Sequence, residues 1–289
     1  NGIPLATHLY KRCIQKVINK KYKDTQLKFN TIYPTEMTLQ EIDNIHKREN
    51  KYTYENKKIY DGSLWTGSSL NIDDSSQKKT IYNQMKLIES LFINEIPSFG
   101  SCWGLQLLAT MQGGICKKMD KPREFGFSRK IELTDKGRNH FMYKNKNNVF
   151  DSFGNHSYEV TYVPESVNML STSQYCKTQS VSVIENNTEF CATQYHPEYT
   201  LPYVSKLFLQ RKKRAIENHL FFNEYDIHRF SNNLEYIENN KNKTNCELYK
   251  THPITWLYGI DNDILSSNYL SLEIENWIDT IINNKNACL

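Results

Sequence analysis

The sequence predicts an α/β fold: an open, mostly parallel sheet with helices on both faces, continued by a helical C-terminal extension. Three features carry that prediction. Short strand-like runs at 57–69 and 96–100 alternate with helical patterns at 78–95 and 102–114, the rhythm of a parallel sheet covered by crossover helices. Between 115 and 196, the segments SRKIELT, SYEVTYV and QSVSVI alternate over short lengths and predict added strands, some antiparallel. From Leu201 onward the pattern is helical, from PYVSKLFLQRKKRAIENHLFF to SLEIENWIDTII.

In chain order, LATHLYKRCIQKVI (5–18) sets Leu9, Cys13, Val17 and Ile18 at helical spacing. LKFNTIY (27–33) alternates and predicts a strand that Pro34 ends. TLQEIDNIHKRE (38–49) predicts a polar helix or a structured loop. KKIYDGSLWTGSS (57–69) predicts a short buried strand stopped by a Gly/Ser turn. Over 78–95, Ile81, Met85, Ile88 and Phe92 form one apolar stripe. IPSFG (96–100) predicts a strand, and CWGLQLLATMQGG (102–114) a helix closed by Gly113-Gly114. The Asn-rich stretch 237–250 predicts a loop. Trp256 and Trp277 are expected to anchor the C-terminal helices on the sheet. The expected division is a catalytic domain over 1–205 and a helical extension over 206–289.

The charge balance, 36 basic against 32 acidic residues, is mild. No basic stripe alternates with aromatics, so nucleic acid is not the expected partner. Seven cysteines, an odd number with no CxxC pair, argue against a disulfide framework and a zinc ribbon. Free thiols suit a reducing compartment, so a cytoplasmic location is expected. No apolar run is long enough to span a membrane, and no leader pattern is visible. Asp73-Asp74 and Asp261/Asp263 read as a loop and a helix start. No further ligands cluster with them, so no metal is expected.

The chemistry centres on SFGSCWGLQLLAT (98–110). A cysteine nucleophile needs exposure at a sharp bend, a base, and N–H donors for the oxyanion formed on attack. A strand turning directly into a helix would lift Cys102 from the sheet edge, as in a nucleophile elbow. The positive end of that helix favours the thiolate. The Trp103 N–H would face the oxyanion, and Gly104 would allow close backbone approach. QYHPEYT (194–200) offers the base. In an extended segment His196 and Glu198 face one side. Glu198 can then hold one ring nitrogen of His196 and leave the other for Cys102.

CWGLQ followed far downstream by HPE resembles a class I glutamine amidotransferase domain. It is most similar to stand-alone proteins related to the glutaminase half of GMP synthase. The resemblance implies a Cys102–His196–Glu198 triad and a second oxyanion N–H from Gly67 in WTGSS. It implies that Gln106 binds the glutamine-like end of the substrate. NHSYEV (155–160) resembles a pocket-lining segment, which makes His156, Ser157 and Tyr158 further substrate-binding candidates. REFGFSRKIELTDKGR (123–138), WLYGIDNDIL (256–265) and EIENWI also resemble these members. The family opens with a strand and a loop before its first helix. This sequence opens at NGIPLATHLY, already near that loop.

The bland readings are plain. A lone Cys102 would be a buried thiol, and the other six cysteines read as structural. His156 could equally be a satisfied loop histidine. His8, His46, His140, His219, His228 and His252 read as surface or structural, and the KK and RKKR runs as solvated helix faces.

The expected reaction is hydrolysis of a γ-glutamyl amide, glutamine above all, to glutamate and ammonia through a thioester on Cys102. It requires no metal or organic cofactor. No GxxxxGK[ST] phosphate loop is present, nor an SGG-x-DS loop of the synthetase type. Ammonia would therefore pass to a separate synthetase or acceptor enzyme. One alternative is a γ-glutamyl peptide or conjugate hydrolase, which uses the same triad. Another is a partner-dependent or inactive regulatory protein.

Overall fold

A computed structural model describes residues 6–43, 60–241 and 253–287. Among these, nine strands form two sheets. The strands are β1 (Ser63–Trp65), β2 (Ser98–Ser101), β3 (Ile115–Lys118), β4 (Glu124–Leu133), β5 (Val149–His156), β6 (Tyr158–Tyr162), β7 (Asn168–Thr172), β8 (Ser180–Glu185) and β9 (Thr188–Thr193). The main sheet runs β1-β2-β9-β8-β7-β4-β5, and β3 pairs antiparallel with β6. Parallel pairing is confined to β1, β2 and β9. The remaining ladders of the main sheet are antiparallel.

Helices cover both faces, because alternate residues of the central strands point to opposite sides. Trp65, Phe190 and Ala192 pack with α3 (Lys78–Ile93) and α4 (Trp103–Met111). Phe99 and Cys191 pack instead with Tyr10 and Ile14 of α1 (Ala6–Lys21) and with Ile274 and Trp277 of the last helix (Leu272–Ala287). A third cluster joins Phe125 and Phe153 of the antiparallel arm to α6 (Leu201–Gln210) and α8 (Glu224–Asn240). Shorter helices are α2 (Leu39–Asp43), α5 (Asp135–Arg138), α7 (Lys212–Glu217), α9 (Pro253–Leu257), α10 (Asn262–Leu265) and α11 (Ser267–Leu270), which makes Leu272–Ala287 α12. No described helix is long and apolar enough to cross a membrane.

Most expected elements stand. Gly113 closes α4 with φ +87°, and Gly114 N–H bonds the Ala109 carbonyl, a left-handed stop. Asp261 caps α10 through the Asp263 N–H. Three expectations change. Residues 27–33 form no strand: Phe29 and Tyr33 are exposed, and alternation alone supplies no partner edge. The polar 237–250 stretch begins as helix, because α8 runs to Asn240; 242–250 lie outside the described residues. Trp256 is 62% exposed and lies outside the buried clusters, whereas Trp277 is buried under Phe99. Within 38–49, α2 is capped by a Thr38–Glu41 box, and 44–49 lie outside the described residues. An initial strand would fall ahead of α1, in residues likewise outside the description.

Candidate active site

β2 ends at Ser101 and α4 begins at Trp103, with Cys102 alone between them. Cys102 makes the bend with φ 53° and ψ −93°. A non-glycine residue with positive φ is strained, and such strain gathers at functional sites. The bend is pinned from both sides. Cys102 N–H bonds the Thr193 carbonyl at the end of β9 (2.7 Å), and its carbonyl accepts from Gln106 (3.1 Å). The first N–H groups of a helix have no partner inside it, so those of α4 are free to face an anion. The expected elbow is therefore present.

His196 follows β9 on the same edge. It is brought to Glu198 by a turn rather than by the extended segment expected, since Tyr199 N–H bonds the His196 carbonyl (3.2 Å). His196 Nδ1 meets Glu198 Oε1 at 2.7 Å, and both side chains are buried. Burial disfavours the charged ring, but the Glu198 carboxylate and the neighbouring Cys102 outweigh it and push the imidazole up to about 10. His196 Nε2 is buried with no hydrogen-bond partner. A tyrosine lies flat on the ring: Tyr199 stacks at 4.0 Å and 11°.

Gly67 sits over this pair. A Cβ there would lie 3.3 Å from His196 Cε1 and 3.8 Å from Cys102 Cβ. Cys102, His196, Glu198, Gly67 and the Trp103 amide thus share one place. The other candidates divide. Gly104 faces Trp65, whose Cβ would be 3.1 Å from an added methyl, so helix–strand packing demands the glycine. Gln106 is buried and gives its amide to the Tyr158 carbonyl (3.1 Å) and Gln194 (3.3 Å), which clamps the pocket segment from behind. His156 is the satisfied histidine: Nε2 meets Glu124 at 2.7 Å and Nδ1 the Tyr158 carbonyl at 2.9 Å. The Ser157 backbone carbonyl accepts from Met119 N–H (2.9 Å). Tyr158 donates to Asp73 (2.8 Å), and burial together with that carboxylate pushes its hydroxyl up to about 12.

Several further residues line the site, two of them, Asn155 and Arg123, in segments the sequence singles out without giving these residues a role. The Asn155 carbonyl lies 4.0 Å from Cys102 Sγ, and the Arg123 guanidinium holds the Asn155 side chain at 2.6 Å. Ser101 and Tyr10 stand behind Glu198. His-Pro-Glu-Tyr could have suggested Tyr199, three residues on at a turn. Tyr10, 91 residues from Ser101, could not have been found that way.

One other group of possible metal donors occurs among the described residues, His140, Glu189 and Cys191. His140 Nδ1 accepts from Met142 N–H and Nε2 faces Glu189 at 2.8 Å, so both ring nitrogens are already occupied. This group is separate from Cys102, His196 and Glu198.

Residues 34–213 match the family glutamine amidotransferase class-I. A γ-glutamyl-L-1-hydroxyisopropylamide hydrolase from a Pseudomonas species is 27% identical over 234 residues, covering 77% of this chain and 73% of the relative. A GMP synthase (glutamine-hydrolyzing) from Fusobacterium nucleatum is 39% identical over 114 residues. That match covers 38% of this chain and 20% of the synthase, so this chain spans only a fraction of that relative's length. Among solved structures, a glutamine amidotransferase from Thermotoga maritima aligns with TM-score 0.53 at 13% identity, over 88% of this chain and 95% of that one. At that identity the likeness speaks for the fold alone.

Proposed function

The chain belongs to the class I glutamine amidotransferase family, and from that premise we propose that it hydrolyses a γ-glutamyl amide through a thioester on Cys102. The observation that carries this reading is the strained Cys102 elbow beside a histidine whose far nitrogen is held by Glu198. The thiolate attacks the γ-carbonyl carbon, and the carbonyl oxygen becomes an oxyanion facing the Trp103 and Gly67 amides. His196, protonated on Nε2, gives that proton to the leaving nitrogen as the C–N bond breaks. Neutral His196 then takes a proton from water, which cleaves the thioester to glutamate and regenerates the thiol. Glu198 keeps the ring turned and its charge balanced throughout.

Glutamine is the proposed substrate, with ammonia passed to a separate synthetase or acceptor enzyme. A cytoplasmic site of action belongs to the same reading; the cysteines among the described residues are all free thiols. One observation favours a second reading, a hydrolase that releases a larger amine. The γ-glutamyl amide hydrolase matches along most of both chains, whereas the synthase match is local.

Purified protein is to be assayed with glutamine and, separately, with γ-glutamyl peptides, reading ammonia, glutamate and amine by mass. Ammonia from glutamine, absent in Cys102→Ala, is the expected result. Amine from the peptides with glutamine untouched would move the substrate to the second reading. Full turnover by Cys102→Ala would sink both.

A further inference from the structure

Resting on the reading of Cys102, His196 and Glu198 as a triad, we propose that Ser101 and Tyr10 are positioning residues that hold the Glu198 carboxylate seated on His196. Tyr10, from α1, donates to Ser101 Oγ at 2.6 Å. Ser101, the last residue of β2, donates to Glu198 Oε1 at 3.2 Å. The same oxygen takes the His196 Nδ1 proton at 2.7 Å. All four residues are buried, with exposures of 2% or less.

The direction of the chain follows from proton counting. Ser101 Oγ also lies 3.4 Å from His196 Nδ1, but that nitrogen spends its proton on Glu198 and cannot accept. Tyr10 fills an acceptor site on Ser101 and leaves the serine proton for the carboxylate. The order is therefore tyrosine hydroxyl, serine hydroxyl, carboxylate, imidazole. Glu198 Oε2 has no hydrogen-bond partner among the described residues. Ser101 is thus the carboxylate's second hydrogen bond, beside that of the ring. A buried carboxylate left with a single donor is costlier to keep charged. A carboxylate seated less firmly would hold the imidazolium less firmly beside Cys102.

The test is the pH dependence of Cys102 alkylation by iodoacetamide, read on the Cys102 peptide, together with turnover by the same full-length proteins. In Ser101→Ala the acid limb of alkylation is expected to move to higher pH, with kcat down roughly five- to tenfold and KM unchanged. Tyr10→Phe moves the limb the same way by less, and keeps the relay testable if Ser101→Ala does not fold. The double variant is expected to match Ser101→Ala, because Tyr10 acts through Ser101. Ser101→Thr, which keeps the hydroxyl, restores the wild-type profile. A lowered melting temperature with an unmoved limb in Tyr10→Phe and Ser101→Ala overturns the relay. In that case a limb that still moves in Glu198→Gln leaves the triad standing, and one that does not sinks the triad as well.

Discussion

Two buried ion pairs lie close along this chain, and they are finished differently. Glu198 and His196 form one. Lys146 and Glu273 form the other, at 2.9 Å with both side chains fully buried. Around the second pair every group is engaged. Lys146 also bonds the Tyr269 carbonyl and lies over the rings of Phe150 and Tyr269. Tyr195 donates to Glu273 at 2.7 Å, and Tyr143 meets Tyr195 at 2.9 Å. Around the first pair, among the described residues, Glu198 Oε2 is left without a partner and His196 Nε2 makes no hydrogen bond within normal reach, with Cys102 beside the ring. A closed polar network rigidifies; an open one keeps atoms in reserve at a cost in stability. Tyr195 and His196 are consecutive residues, one in each network. The contrast teaches that the closed pair braces the backbone from which the open pair works.

The sharpest way to break that contrast is to remove Cys102, the proposed nucleophile. Cys102→Ala is expected to cut turnover by more than about a thousandfold while leaving the melting temperature near that of wild type. A large drop in stability would mean that Cys102 is a core thiol and the open network is structural.

Next is the closed pair. Lys146→Met strands the Glu273 carboxylate in the core and is expected to cost about 3–5 kcal/mol in urea denaturation. Adding Glu273→Gln should recover much of that loss. A cost below about 1 kcal/mol would show that the pair braces nothing.

The open pair makes a pH prediction. His196 is raised to about 10 in the folded protein, against about 6.5 for an unfolded histidine. Its stabilising contribution is therefore full below about pH 6.5 and fades as pH rises toward 10. Urea midpoints followed from pH 6 to 10 should fall less in Glu198→Gln than in wild type. Parallel curves would remove Glu198 as the cause of the shift.

The smallest effect concerns Tyr158. Tyr158→Phe cuts the bond to Asp73 and is expected to raise KM roughly two- to threefold with kcat kept, since the bond is exposed. A kcat effect instead would place Tyr158 nearer the chemistry than the rim.

The two networks also differ in how far the sequence announces them. The elbow is legible because strand, nucleophile and helix are contiguous, so local rules describe it. His196 and Glu198 are legible as a pair because two residues fix their relation, although the local shape is a turn and not a strand. The closed network is not legible. Lys146, Tyr195 and Glu273 come from a loop, the end of β9 and α12, and only packing of the whole chain unites them. The same holds for Tyr10 behind Ser101. His156 shows the converse: its segment resembles a pocket lining, yet Glu124, 32 residues earlier, claims its ring. The false strand at 27–33 fails for a simple reason. Pattern and residue type describe what a segment can bury, not whether a partner surface reaches it.

The brace around Lys146 has a consequence for synthesis. Glu273 stands on α12, so a ribosome delivers the elbow, His196 and Lys146 long before it delivers their support. Until α12 emerges, Lys146 has no carboxylate and Tyr195 no acceptor from that helix, and Phe99 lacks Trp277 above it. The nascent chain thus holds Cys102 and His196 in an unbraced frame until α12, translated well after both, completes it.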